Sequence, residues 1–469
     1  MSRSVRESLA CISAGLLAAA LPAGANQALA QPYNGFGDDG RNDNFGPGFA
    51  YSEVNAAFLV YQESGGRVSA IEPALDLSLH AADGRQLNLG LLADTVSGAT
   101  PNGAVPSNAP QNFVTPVKAQ GSTATVTSAS GGSTIIHLPP TPGQIAQAAL
   151  GRQYTVPANT LPMDRGFHDH RGALTAAWVQ PLNDVTQIGF GGGYSRESDY
   201  QALTANLNVS RNFNANNTTL SLAFNTELDS SFPFGGIPTA LAQMDATWKT
   251  PKSRDKTQAG FVLGLTQLMT RSWMMQLNYA FDRQSGYQND PYRIISLVDP
   301  ITGVPAESLY ESRPAKRQSQ SLYWDNRLDL GPTVTDFSLR YFTDSWGIKS
   351  QTAQLTERIN LGGAFYLEPG ARLYHQTAAD FFHYYLTGGQ ALPAYASSDT
   401  RLGRFPATTF GAKLGWIISK RSELYLRADL YRQSGNGHPS GAIGQLKQQD
   451  LFPSTRATMF FLGYTWDFH

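Results

Sequence analysis

Two histidines near the middle of the chain have the spacing of a metal-binding pair. His168 and His170 flank Asp169, and because alternate residues of a strand face the same way, both imidazoles would point in one direction. His-x-His pairs on strands can ligate a transition metal. A third ligand, for which Asp164 is a candidate, would complete the site. The alternative is a pair of rim histidines that hydrogen-bond to loop carbonyls.

A second pair of residues could support hydrolysis. His438 and Ser440 lie close together in one segment, and Ser/His pairs occur in membrane-embedded lipases. The glycines and the proline around them favour a turn, and the sequence has no Gly-x-Ser-x-Gly elbow. An outer-membrane hydrolase is therefore the third functional hypothesis.

The segment Asp94-Thr95-Val96-Ser97-Gly98-Ala99-Thr100 resembles the acceptor motif of covalent flavinylation, Asp-x-x-Ser/Thr-Gly-Ala-Ser/Thr. The resemblance implies that a periplasmic Mg-dependent FMN transferase attaches FMN to Thr100 through a phosphodiester. Asp94, Ser97, Gly98 and Ala99 would complete the recognition element, and the two small residues would let the backbone enter a narrow transferase site. The alternative is ordinary loop chemistry, because the region is rich in Ser, Gly, Ala and Thr.

Composition and the N-terminus indicate an exported β protein. Of the 469 residues only 15% are charged and the net charge is −1, which argues against a protein that grips nucleic acid. Residues 1–30 are typical of a secretory signal peptide: Arg3 and Arg6 precede an apolar run from Leu9 to Leu21, and Ala28-Leu29-Ala30 precedes Gln31. We expect residues 31–48 to form a periplasmic segment.

Alternation with a period of two dominates the chain from residue 49 to residue 469. At the C-terminus, the outward register Phe460, Leu462, Tyr464, Trp466 and Phe468 is apolar and largely aromatic. The pattern predicts an all-β transmembrane antiparallel barrel of about 16 strands. The predicted strands are 49–62, 69–80, 86–97, 171–180, 186–196, 200–211, 217–228, 257–268, 273–285, 319–330, 334–343, 354–366, 371–384, 406–418, 422–434 and 455–468. Segment 240–250 is predicted to be part of a loop.

The connections alternate between short turns and long loops. Turn-forming residues such as Glu368-Pro369-Gly370 supply the tight reversals. In outer-membrane barrels the turns are periplasmic and the loops extracellular, so we expect the protein to lie in the Gram-negative outer membrane after export. Segment 98–168 is predicted to be a long loop or partial plug with a helix-like stretch from Gln144 to Leu150. The inner register carries charges of both signs, which predicts a hydrated lumen.

Several motifs resemble a proteobacterial family of uncharacterised outer-membrane barrel proteins. They include Asn289-Asp290-Pro291-Tyr292-Arg293, Glu311-Ser312-Arg313-Pro314 with Arg317, Arg340 to Ile348, and Ser398-Asp399-Thr400-Arg401-Leu402. Segment Asp94 to Ala104 resembles the N-terminal signature of the same family, so the resemblance extends over most of the mature chain.

The resemblance implies a flavin-linked role in envelope redox chemistry, because the family tends to be encoded beside FMN transferases, small lipoproteins and thioredoxin-like proteins. We therefore expect an electron-transfer component or conduit as the first hypothesis and a porin or solute channel without cofactor as the second. The sequence leaves an enzymatic activity open, as in the hydrolase hypothesis, but favours a protein that is not an enzyme. Outer-membrane lipid and the barrel assembly machinery are the other expected partners.

Charged and aromatic residues of the family motifs fall in or beside the long loops. We expect them to form a paired-charge network that orders the extracellular mouth, with a ligand-recognition ring as the alternative. The residues of this predicted network are Asp290, Tyr292, Arg293, Glu311, Arg313, Arg317, Asp399 and Arg401.

Overall fold

The structure is a computed structural model that describes residues 49–115, 123–127, 133–137, 152–244, 249–250 and 253–468. The predicted signal peptide, the segment 31–48 and the helix-like stretch from Gln144 to Leu150 lie outside the described residues. Among the described residues, no helix is long and apolar enough to cross a membrane.

The strands in chain order are β1 Phe49–Glu63, β2 Ser69–Ala81, β3 Gln86–Pro101, β4 Gln111–Thr115, β5 Thr123–Thr127, β6 Ser133–His137, β7 Arg152–Val156, β8 Met163–Asn183, β9 Thr186–Arg196, β10 Tyr200–Phe213, β11 Thr218–Ser231, β12 Ile237–Pro238, β13 Lys249–Thr250, β14 Arg254–Thr270, β15 Trp273–Gly286, β16 Ile294–Val298, β17 Pro305–Tyr310, β18 Lys316–Asp329, β19 Thr333–Asp344, β20 Lys349–Gly362, β21 Phe365–Gln376, β22 Leu386–Thr387, β23 Phe405–Ser419, β24 Ser422–Gln433 and β25 Thr455–Phe468. Two short 3₁₀ helices span Thr400–Leu402 and Gly444–Gln448.

Sixteen of these strands form one closed barrel in the order β1-β2-β3-β8-β9-β10-β11-β14-β15-β18-β19-β20-β21-β23-β24-β25. Every neighbouring pair is antiparallel, and β1 closes the barrel against β25, with Ala57 opposite Gly463. Closure leaves no sheet edge unpaired, as a strand in hydrocarbon requires. The predicted fold class, an all-β transmembrane-type antiparallel barrel of sixteen strands, is confirmed.

Alternation divides each strand between lipid and lumen. Large apolar side chains on the outward register are exposed, among them Phe190, Leu207, Leu426 and Phe460. The inward register carries polar residues and, on β1, β3 and β25, a buried apolar cluster that includes Leu59, Val96, Met459 and Phe461. Glycines on the inner wall accommodate aromatic rings: an added Cβ at Gly415 would lie 2.1 Å from ring carbons of Tyr366. The ring therefore packs flat against the backbone of the neighbouring strand, which fixes its position in the lumen.

Two predicted strands, 354–366 and 371–384, are wrong in their bounds. The strands are β20 and β21, and the reversal between them lies at Gly362 and Gly363, whose φ angles are 89° and 62°. Pro369, which the sequence places at the turn, sits inside β21 at a point where the pairing of β20 with β21 is interrupted. A proline lacks the N–H that a ladder uses, so a proline-containing strand segment resembles a turn in sequence.

The predicted loop 98–168 begins and ends inside barrel strands. Strand β3 continues to Pro101 and β8 begins at Met163, with Thr100 paired opposite Asp164. Both strands extend past the predicted ends because Gly98, with φ of 123°, accommodates a register shift rather than a strand end. The described residues of the loop 240–250 include the two-residue strand β13, which pairs with β12, and Gln243, which forms an isolated bridge with Leu309.

Candidate functional site

Connections at the long-loop end of the barrel pack into one ordered assembly, which we call the mouth cap. It comprises the described residues of the connections after β3, β11, β15, β21 and β24. Arg293 Nη1 donates to the carbonyl of Pro101 at 2.9 Å, and Ser398 Oγ donates to the carbonyl of Gly103 at 2.7 Å. Gln449 Nε2 donates to Asn159 Oδ1 at 2.7 Å. Hydrogen bonds between connections that are distant in sequence therefore hold the cap together.

Apolar packing supports the same assembly. Strand β16 pairs with β17 and, in parallel, with β22, so two connections share one small sheet. Ile295, Val298, Ala396 and Leu446 are fully buried, although they belong to loops. Burial of this kind is typical of a domain core rather than of mobile loops.

Most residues of the predicted mouth network lie together, buried inside the mouth cap. Arg313 Nε lies 2.7 Å from Glu311 Oε1, and Arg313 Nη2 lies 2.9 Å from Asp399 Oδ2. Arg401 forms a further short ion pair with Asp399. Glu311 and Asp399 are each 1% exposed. The pairs of Arg313 with Glu311 and Asp399 are fully desolvated, and the loss of such a pair costs more than the loss of a surface pair.

The remaining predicted residues have separate partners. Arg293 Nε lies 3.9 Å from Asp290 Oδ2, and the backbone N–H of Asp290 donates to Glu311 Oε1 at 2.5 Å. Arg317 pairs with Asp344 at 2.6 Å. Tyr292 donates its hydroxyl proton to Asp199 Oδ2 at 2.5 Å and thereby ties the connection after β15 to the turn after β9.

Burial and neighbouring charge act in opposite directions on the two central carboxyl groups. Burial alone would raise the pKa of Asp399, but Arg401, Arg293 and Arg313 together hold it well below its usual range. Burial raises the pKa of Glu311 despite the adjacent Arg313, and Asp290 and Asp399 raise it further. The guanidinium groups are thus concentrated around Asp399, which is the charge centre of the network.

A cavity of about 490 Å³ lies beneath the mouth cap. Inward-facing barrel residues, including Thr175, Thr204 and Glu227, form part of its wall. Gln288 and Arg313 of the mouth cap form another part. Because cap and barrel residues line one space, the cap extends over the lumen at this point. The volume is in the range of small-molecule sites.

Sequence reasoning missed a cluster of three buried carboxylates. Asp169, Glu197 and Asp199 each present an oxygen within 4.8 Å of the others. Burial raises the pKa of Asp199. Oxygen donors at this spacing are compatible with a hard cation. Alternation could have identified Asp169, because a strand that turns His168 and His170 to one face turns the residue between them to the other.

The two histidines lie on the outer face of β8. Their rings are in edge contact with centroids 4.6 Å apart, and His170 Nδ1 lies 3.0 Å from Thr95 Oγ1. Asp164, the candidate third ligand, has a different partner, since Arg152 Nη2 lies 3.6 Å from its carboxylate. The structure therefore brings the histidines together but gives the candidate third ligand another role.

The Asp94–Thr100 segment is part of the barrel wall. Arg171 Nη1 lies 3.8 Å from Asp94 Oδ2, and Ser97 Oγ lies 3.2 Å from Ser69 Oγ. A Cβ at Gly98 would lie 2.2 Å from the carbonyl oxygen of Arg67. Thr100 is 7% exposed and Ala99 4%. Thr100, the predicted attachment residue, is therefore buried in the folded barrel wall.

The hydrolytic pair lies in the connection after β24. His438 and Ser440 are exposed, and the backbone N–H of His438 donates to Asn436 Oδ1 at 3.2 Å. This contact within the loop has the geometry of a turn around an asparagine.

A family model covers almost the whole chain. Residues 37–466 match the DUF3570 family, which is described as a protein of unknown function. The chain belongs to the DUF3570 family. The expected membership of an uncharacterised family is thus confirmed. The mouth cap, the Asp94–Thr100 segment and the barrel as far as Trp466 of β25 lie within the matched residues.

This DUF3570 protein is similar to several solved structures at low sequence identity. CdiB from Acinetobacter baumannii is 9% identical with a TM-score of 0.43, over 88% of this chain and 60% of CdiB. A bacterial polysaccharide outer membrane secretin is 8% identical with a TM-score of 0.41, over 89% and 98% of the two chains. The outer membrane protein opdK from Pseudomonas aeruginosa is 8% identical with a TM-score of 0.36, over 89% and 99%. None of the curated proteins matches the chain.

This DUF3570 protein is an outer-membrane-type β-barrel. Its sixteen strands, closed without an edge, and its exposed apolar outer register are the features that a lipid-spanning barrel requires.

Proposed function

We propose that this DUF3570 protein is a solute-selective channel of the Gram-negative outer membrane. The observation that carries the proposal is the mouth cap, in which buried ion pairs and hydrogen bonds join connections from around the barrel. Arg313, for example, lies between Glu311 of one connection and Asp399 of another. A general porin needs a permanently open mouth, whereas an ordered cap over a lumen restricts entry to solutes that it admits.

The lumen supports passage of solutes rather than a purely structural role. Barrels of about sixteen strands are wide enough to enclose an aqueous channel. Ionic side chains line the inner wall, as in the pair of Lys413 Nζ with Glu368 Oε2 at 3.1 Å and the pair of Arg427 with Asp429 at 2.9 Å. Charged inward residues keep water in the lumen.

Single-channel conductance in planar bilayers tests the proposal on the purified mature chain. We expect small or infrequent openings for the wild type and larger, longer openings for Asp399→Asn, which removes the charge that joins Arg313 and Arg401. Arg85→Met is the matched control, since Arg85 forms an exposed pair with Asp83 in the turn between β2 and β3. A large steady conductance that is the same in the wild type and Asp399→Asn would identify a general porin. No conductance in either would refute the channel.

The Asp94–Thr100 motif favours a second proposal, a flavin-linked redox role in the cell envelope with FMN attached to Thr100. Its proposed partners are a periplasmic FMN transferase, a small lipoprotein and a thioredoxin-like protein. Because Thr100 is a buried residue of β3 that pairs opposite Asp164 of β8, attachment would have to precede strand pairing.

Flavin fluorescence on a denaturing gel tests this second proposal. Outer membranes come from cells that also make an FMN transferase. The variants are Thr100→Ala and, as a control in the connection that follows β3, Thr160→Ala. Fluorescence in the wild type and in Thr160→Ala but not in Thr100→Ala would support attachment at Thr100. The absence of fluorescence from the wild type would refute it.

A further inference from the structure

Two buried hydrogen-bond donors in the wall of the cavity beneath the mouth cap have no partner among the described residues. They are Nε2 of Gln288 and Nε of Arg171. Gln288 is 5% exposed, so bulk water does not satisfy its amide. An unmet buried donor is costly, and one that lines a cavity large enough for a small molecule is typical of a binding site.

The charge around the cavity limits what can satisfy these donors. Its wall includes Arg171, Lys256, Arg313 and Arg317. Lys256 is paired with Asp229 at 2.6 Å, and the other two cations, Arg313 and Arg317, have carboxylate partners at 3 Å or less. The nearest carboxylate oxygen to Arg171 is at 3.8 Å, too long for a hydrogen bond. Arg171 is therefore the cation with the most capacity left for an anionic acceptor.

We infer that the cavity binds a small carboxylate-bearing solute, with Gln288 Nε2 and Arg171 Nε as donors to its carboxylate. This inference rests on the proposed channel function, for which it supplies the class of solute. A carboxylate accepts several hydrogen bonds at once and forms strong charge-assisted bonds with arginine. Glu197, Asp199 and Glu227 also line the cavity, so a solute that adds an ammonium group finds acceptors within the same space.

Isothermal titration of the purified mature protein in detergent tests the inference. The probes are succinate, glutamate and succinamide, the neutral diamide with the shape of succinate. We expect the acids to bind at least about tenfold more tightly than succinamide, because a tenfold ratio corresponds to about 1.4 kcal/mol, close to the least that one charge-assisted hydrogen bond contributes. If glutamate bound more tightly than succinate, the solute would be identified as one that also carries an ammonium group. If succinate bound more tightly, the solute would be identified as a simple organic acid.

Variants of both donors separate the site from non-specific binding. Gln288→Leu and Arg171→Met should each weaken the binding of the acids by about tenfold. The isosteric Gln288→Glu should weaken their binding further, because its charge repels the carboxylate. Gln86→Leu and Arg211→Met, which lie toward the short-turn end of the barrel, are the matched controls. On a denaturing gel, faster migration of the unboiled sample than of the boiled sample shows that each variant is folded.

The possible failures are distinguishable. Equal affinity for succinate and succinamide, or unchanged affinity in folded Gln288→Leu and Arg171→Met, overturns the carboxylate site while leaving the channel to its own conductance test. Conductance that is absent although the acids bind through Gln288 refutes the channel and keeps the site.

Discussion

The substitution Arg313→Met should release the mouth cap from the barrel. Arg313 is 8% exposed, and its guanidinium lies 2.7 Å from Glu311 and 2.9 Å from Asp399. Methionine fills much of the volume but leaves Glu311 without its cation. Removing one partner of a buried ion pair costs about 3–5 kcal/mol, because the other charge stays buried. At about 1.4 kcal/mol per tenfold, the population of the opened cap should rise by a factor of about a hundred or more.

Hydrogen exchange of the purified protein in detergent measures this opening directly. Amides of residues 289–313 and 396–402 should exchange faster in Arg313→Met, while amides of the barrel strands should not change. Adding Glu311→Gln to Arg313→Met should restore part of the protection, since the unpaired charge is then absent. Arg85→Met, which breaks an exposed pair, should leave exchange in the cap at the wild-type rate. If Arg313→Met exchanged like the wild type, the ion-pair network would not hold the cap closed.

Two further perturbations address the barrel wall and the pH response of the cap. Gly415→Ala should lower the free energy of unfolding in lipid vesicles by about 1–3 kcal/mol, because a Cβ would lie 2.1 Å from the ring of Tyr366. Gly441→Ala should leave the free energy of unfolding unchanged, because a Cβ at Gly441 meets no atom within 4 Å. If Gly415→Ala had the same urea midpoint as the wild type, the tight packing of Tyr366 on Gly415 would be contradicted. Burial lowers the pKa of Lys249 to about 8. Between about pH 8 and 10.4 the unfolded chain therefore binds more protons than the folded chain, so the folded cap becomes more stable as the pH rises. We expect the protease resistance of the cap to rise with pH over this range. Lys249→Met should abolish this rise in protease resistance. If resistance rose equally with pH in the wild type and in Lys249→Met, Lys249 would not be the cause.

Alternation predicts the barrel well because the lipid imposes it on nearly every strand. Strand β25, with Phe460, Leu462 and Trp466 facing outward, is predicted at its observed bounds. The prediction fails where turn chemistry occurs inside a strand. Glu368-Pro369-Gly370 has the composition of a reversal, but the glycines at 362 and 363 form it. Local composition cannot rank two such candidates, since the choice depends on pairing with β23, a strand distant in sequence.

The contacts inside the mouth cap are harder to predict from the sequence than the strands of the barrel wall. Motif residues such as Arg313 and Asp399 are recognisable as a charged set, but which of them meet depends on contacts across 86 positions of the chain. Gln288 has no motif, and only its burial beside a cavity marks it. Asp169, by contrast, follows from the strand period once His168 and His170 are placed on one face.

The mouth cap is held closed by buried ion pairs as well as by apolar packing, and the two kinds of contact contribute differently. The sheet of β16, β17 and β22 shows that apolar packing can join two connections in this protein, and its residues Ile295 and Val298 are fully buried. Buried ion pairs are seldom more stabilising than apolar contacts of the same volume, because both ions lose hydration. A network centred on Asp399 therefore adds little to closure that apolar side chains could not supply. What it adds is a polar link to the cavity, because Arg313 contacts Asp399 and also lines the cavity. On the proposed function, the charge of a carboxylate held by Gln288 and Arg171 would weaken the attraction between Arg313 and Asp399 and so loosen the cap, and Asp399→Asn should make opening independent of the solute.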